Sequence, residues 1–248
     1  TWSEKRGHPI LLGARVPTLP ESAKGLGMDA ITWAREGLVD MLVPTPFWAT
    51  AEFDIPVETW RAQLTAALQG TQAQRPVPVL APGIEILLRA YPGAAHTLND
   101  LTSVRGFAAS CLHRGADMIY TFNYMDPAPM TGGEAAYREL LEEGLSLEHI
   151  MKQPRRYPIT YRDTVGPGMS NDAVLPADPS KNPAFKFHIG PAPKPAVVTL
   201  VLGLANKEGF ENAMLSAVIN GVSCESLPDH LNPGEYPGVV RGVRFACP

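Results

Sequence analysis

Glu85 is the residue best placed in this sequence to do chemistry. It follows the apolar run Val77-Pro78-Val79-Leu80-Ala81 and a Pro82-Gly83 pair that would turn it outward. A carboxylate there can attack an electrophilic carbon, shuttle a proton or bind a ligand. It can also be a helix-start acid, with Ile86-Leu87-Leu88-Arg89 as a short helical turn, favoured by the macrodipole. Arg15 ends another apolar run, and its fork suits a carboxylate or a sugar hydroxyl. The alternative is an Arg15 paired with a neighbouring strand-end acid, Glu85 included. Trp48, in Pro46-Phe47-Trp48, offers an aromatic face to a ligand or anchors its loop. Asn123 and Tyr124 can hydrogen-bond hydroxyls or simply close their loop. Asp126 precedes Pro127 and so also suits turn initiation. His96 lies in the loop after Glu85, as an acid/base, a ligand contact or a solvated side chain. His8 precedes the first strand and reads as structural.

These residues need elements to hold them. Through about residue 150, short apolar runs alternate with amphipathic stretches. The strands expected are 10–16, 40–44, 77–81 and 118–122. The helices expected are 29–37, from an Asp29 cap to a Gly37 stop, 57–68 with Gly70 beyond it, 101–113 ended by Gly115, and 133–143. Trp33 and Trp60 fall inside these helices and read as core. Nearly all-apolar strands alternating with helices mean parallel strands buried on both faces. Four such βα units make half of an eight-unit barrel.

After Gln153-Pro154 the rhythm changes to period two, in 157–162, 185–189 and 197–202. Asn220-Gly221 between apolar positions signals a hairpin, and 239–246 gives a last strand. The segment 166–183 reads as a long loop. The expected fold class is therefore α/β. Residues 1–153 form a (β/α) half-barrel and residues 154–248 a small antiparallel β-sandwich.

Composition narrows the function classes. A net charge of −4 with no basic stripe argues against nucleic acid. No apolar run reaches the ~18 residues that a membrane helix needs. No phosphate loop, nucleophile elbow or HExxH motif is present, and no His/Cys cluster has metal-ligand spacing, so neither metal nor cofactor is expected. Of the three cysteines, Cys111 reads as a buried helix residue, while Cys224 and Cys247 could pair if the protein is exported. A start at Thr1 without Met suits a cleaved leader, a removed tag or a shortened chain.

Four segments in order resemble uncharacterised bacterial glycoside-hydrolase-like proteins. They are Gly13-Ala14-Arg15-Val16-Pro17, the run 33–44, Ala81-Pro82-Gly83-Ile84-Glu85, and 105–110 through 115–123. The resemblance covers about residues 8 to 125, and the sandwich loosely. It implies a (β/α)8 barrel with an appended sandwich, in which 118–122 is the last strand, 77–81 the seventh, 40–44 the sixth and 10–16 the fifth. The first four strands would lie outside this chain, which would need an N-terminal barrel half or a second copy to cover its edges. In such barrels a Glu ending the seventh strand is the nucleophile, so Glu85 resembles it, while the fourth-strand acid/base has no counterpart here. Glu52 and Asp54 are then the nearest second carboxylates. The implied partner is a poly- or oligosaccharide held by Arg15, Trp48 and Asn123, with Tyr124, Asp126 and His96 as further contacts. The resemblance also implies a secreted or periplasmic location. A non-catalytic carbohydrate-binding or structural module derived from such a barrel is the alternative.

Overall fold

A computed structural model describes residues 1–52, 54–69, 75–125, 132–169, 175–191, 197–205, 212–230 and 237–248. The first part runs α1 (Trp2–Arg6), β1 (Gly13–Val16), α2 (Pro20–Gly25), α3 (Ala30–Glu36), β2 (Met41–Pro44), α4 (Val57–Leu68), β3 (Val79–Leu80), β4 (Gly83–Glu85), β5 (Leu87–Leu88), β6 (Thr97–Leu98), α5 (Leu101–His113), β7 (Tyr120–Phe122), α6 (Gly133–Glu142) and α7 (Leu147–Ile150). A single 3-10 turn, Pro179–Lys181, is followed by β8 (Thr199–Ala205), β9 (Val218–Ile219), β10 (Val222–Ser223), β11 (Glu225–Leu227) and β12 (Val239–Ala246).

The first part is α/β with parallel pairing. β1 pairs β2, β2 pairs β3, and β4 pairs β7, all parallel. β3 and β4 are one chain path, interrupted at Ala81-Pro82. Proline has no N–H to give a ladder, so the path leaves β2 there and joins β7. The Pro82 carbonyl accepts from Tyr120 N–H at 3.0 Å. Gly83 has no side chain because a Cβ would lie 2.5 Å from Thr45 Oγ1. The expected helix ends are also present: the Asp29 carboxylate accepts from Thr32 N–H, and Gly37 closes α3 with φ 70°. Asp100 caps α5 in the same way. One core cluster joins the strands to the helices through Val16, Leu42, Leu80, Ile84, Trp60, Leu64 and Phe107. Trp60 is fully buried, and its Nε1–H donates to the Thr18 carbonyl at 2.8 Å.

Three sequence expectations are corrected. Ile86-Leu87-Leu88-Arg89 is not a helical turn. Leu87–Leu88 is a strand, paired antiparallel with Thr97–Leu98, because Leu87 and Leu88 have apolar neighbours on both sides to pack against. Glu85 therefore ends a strand rather than starting a helix. The runs 157–162 and 185–189 join no ladder either. Pro158 lacks a donor, the Tyr161 carbonyl accepts from the Thr50 hydroxyl, and Phe187 packs into the first part's core. The run 157–162 is a covering segment pressed against the α/β part, with Thr160, Tyr161 and Arg162 all buried although none of them has a strand partner.

The C-terminal part forms a three-stranded antiparallel sheet, in the order β11-β12-β8, and a hairpin of β9 and β10. Asn220 and Gly221 turn that hairpin with φ 50° and 84°, the positive values a type I′ turn requires. Leu204, Val243 and Phe245 form its own small core. Among the described residues the parallel strands do not close into a barrel.

Candidate functional site

The C-terminal ends of β1, β4 and β7 converge. β1 delivers Arg15, β4 delivers Glu85, and Asn123 follows β7 directly. The parallel register sets this, since Glu85 stands opposite Phe122 and Asn123 is the next residue. Asn123 takes a left-handed φ of 65°, which asparagine tolerates better than most residues. Its Nδ2 donates to Glu85 Oε1 at 3.0 Å, and Leu87 N–H reaches the same oxygen at 3.3 Å. Asn99 Nδ2 holds the Glu85 carbonyl at 2.7 Å. Glu85 is 3% exposed. Burial pushes its carboxyl up from the ordinary value, against the opposing pull of the Asn123 hydrogen bond, the Leu87 amide and Arg15.

Arg15 lies against two aromatic rings. Its guanidinium carbon lies 3.6 Å from the Phe122 centroid and 4.6 Å from that of Phe47. Its Nη2 donates to the Pro46 carbonyl at 2.5 Å. Burial lowers its pKa, while Glu85, Tyr120 and Asp163 raise it.

Asp163 is the residue that sequence reasoning missed. It lies in the extended segment that covers the first part. Its carboxylate accepts from the Phe47 N–H at 2.9 Å and from the Trp48 N–H. Burial pushes its carboxyl up, and the hydrogen bonds and Arg15 oppose that. Two carboxyl groups, Glu85 and Asp163, thus act on one guanidinium. The available signal was Arg162-Asp163, a charged pair set into an otherwise apolar alternation.

The other site expectations divide. Trp48 is near the cluster through its amide, and its side chain is 66% exposed. Tyr124 is buried behind Glu85, which helps push its hydroxyl up. That hydroxyl therefore does not face solvent, contrary to a surface role, because the Tyr124 ring belongs to the core cluster. His96 is exposed between β5 and β6, with no contact tying it to Glu85. Asp126 lies outside the described residues. Glu52 and Asp54 do not face Glu85. Both pair with Arg162, Glu52 at 3.3 Å, and Glu52 also takes the Thr18 hydroxyl. Burial pushes the Glu52 carboxyl up to about 7.

Buried polar atoms without a partner cluster here: Arg15 Nε, Asp163 Oδ1 and Tyr124 Oη. Such atoms are rare in folded proteins and ask for an explanation. Among the described residues no group of three or more His, Cys, Asp or Glu could hold a metal ion, and no helix is long and apolar enough to cross a membrane. No family model matches the chain, and none of the curated proteins matches it.

Proposed function

We propose that this chain is the second half of a (β/α)8-barrel glycoside hydrolase, with β1, β2, the β3–β4 path and β7 as its fifth to eighth strands. Residues 154–248 would form its accessory β-sandwich domain. The substrate would be a poly- or oligosaccharide, and the location secreted or periplasmic. One observation carries this reading: a carboxylic acid ends a parallel strand beside a desolvated arginine, with an asparagine from the next strand holding one of its oxygens. Ligands of parallel α/β sheets and barrels bind at that end of the strands.

In this reading Glu85 attacks the anomeric carbon. A nucleophile must be ionised; burial works against that form, and Asn123 and Arg15 work for it. Asp163, which acts on the same guanidinium as Glu85, is the described carboxyl to which we assign the proton transfer. Attack forms an ester between Glu85 and the sugar and expels the leaving oxygen, which takes the proton. Water then cleaves the ester. Trp48 would stack on a sugar ring.

The test is hydrolysis of a panel of aryl glycosides. Glu85→Ala should abolish turnover, and added azide should restore aglycone release with a glycosyl azide as product. Asp163→Asn should lower turnover by roughly 10²–10⁴-fold. An active Glu85→Ala protein would overturn the assignment. The near-complete burial of Glu85 favours a second reading, a sugar-binding module without catalysis. It predicts no turnover with any glycoside, but quenching of Trp48 fluorescence by oligosaccharide.

A further inference from the structure

The C-terminal sheet sets two thiols opposite one another. β11 and β12 pair antiparallel with Glu225 opposite Ala246, so one step further along Cys224 faces Cys247. Their amides point elsewhere. Cys224 N–H donates to the Ala217 carbonyl and Cys247 N–H to the Val198 carbonyl, each at 2.9 Å. Facing residues that exchange no backbone hydrogen bond are the closer kind of antiparallel pair, with Cα atoms about 4.5 Å apart. That falls inside the ~4.4–6.8 Å span of disulfides. Both side chains are half-buried and both are free thiols in this structure. The Cys247 thiol is pushed up by burial and by its neighbour Cys224, so the two sense one another. Cys111 differs: it is fully buried in α5, and burial pushes its thiol up to about 12.

We propose that Cys224 and Cys247 are a disulfide site, closed by exchange with a low-molecular-weight disulfide. One cysteine loses its proton and attacks the reagent's S–S bond, which breaks and releases one reagent thiolate. The second cysteine, deprotonated in turn, attacks the mixed disulfide at the protein sulfur and expels the second thiolate. The protein loses two electrons and two protons, and the reagent becomes two thiols. The bond would fasten β11 to the last residues of β12, pinning the end of the strand that the whole sheet is built on.

The experiment incubates the folded full chain with oxidised glutathione, blocks residual thiols in acid and maps peptides without reduction. The expected result is a peptide linking Cys224 to Cys247, loss of two of the three thiols, and a Cys111 that reacts only after unfolding. The melting temperature of the C-terminal part should rise by roughly 5–10 °C. In Cys247→Ala, Cys224 should stall as a stable glutathione adduct and the rise should vanish. Glutathione on both cysteines of the unmodified chain, bonds between chains, or three surviving thiols would each overturn the proposal. The wild-type map decides even where the variant does not fold.

Discussion

Arg15 sets its guanidinium against two aromatic rings, Phe47 and Phe122. Phe47 and Phe122 replace water with their negative quadrupole faces, an interaction worth about 1–2 kcal/mol when desolvated. The same charge partly offsets the upward push that burial gives the Glu85 carboxyl. Arg15→Met would keep a flexible apolar chain between the rings and remove the charge. The Glu85 carboxyl should then titrate at higher pH than in the unmodified chain, as followed by carbon NMR of labelled glutamate. An unchanged or lower titration point would show that Arg15 is not acting on Glu85. Glu52 offers a second residue-level test. Its pKa rises from 4.5 to about 7 on folding. The folded state therefore holds a proton that the unfolded chain has lost between these values, and stability falls as pH rises through that window. The penalty is complete above pH 7, absent below about pH 4.5, and on the order of 3 kcal/mol. Glu52→Gln should be more stable than the unmodified chain at pH 8 and close to it at pH 4.5. Urea unfolding at the two pH values measures this, and equal effects at both would contradict it.

At the scale of elements, α5 is fixed by what lies on it. Gly106 faces the segment that leads to Asp163, and a Cβ there would overlap the Arg156 carbonyl. The Arg156 N–H in turn donates to the Thr102 carbonyl on the same helix. Gly106→Ala gains helix propensity but must push the covering segment away, so it should destabilise by about 1–3 kcal/mol. It should also loosen Asp163, visible as faster amide exchange at Phe47 and Trp48. A variant as stable as the original would mean that the segment yields freely. This element also marks where the sequence stopped being readable. The first of the expected helices was legible because Asp29 and Gly37 act within a few residues of themselves. So was the 220–221 turn. Of the parallel strands, β2 and β4 were the most legible, because their near-complete burial goes with short apolar runs, whereas β1 and β7 are only partly buried. The covering segment was not legible, since a sequence that alternates like a strand does not say whether the extended chain finds ladder partners or packs through side chains, as Thr160, Tyr161 and Arg162 do. Arg15, Glu85 and Asn123 could be brought together from strand ends alone. Asp163 could not, because its place depends on a contact across more than a hundred residues with the Phe47 and Trp48 amides.

For the molecule as a whole, the parallel strands leave an edge uncovered. Among the described residues β1 pairs with β2 alone, so its other side offers unpaired N–H and C=O groups. Apolar side chains crowd the approach to it: Leu11 is 72% exposed and Leu12 56%, with Ile10 and Leu38 also exposed. A free strand edge flanked by exposed leucines is a template for another strand. Either a second copy of this chain or another polypeptide segment could supply that strand. Either way, the chain studied alone should associate as its concentration rises, with light scattering reporting more than the 26.8 kDa of one copy. Leu11→Lys together with Leu12→Glu should return it to a single copy, because a charge on each face of the approaching strand cannot be buried without a partner. Their positions outside the core predict a change in stability within about 0.5 kcal/mol. The pair thus separates the surface from the fold. A chain that stays a single copy at high concentration without these substitutions would mean that the edge is covered in some other way. A double variant that still associates would move the contact away from β1.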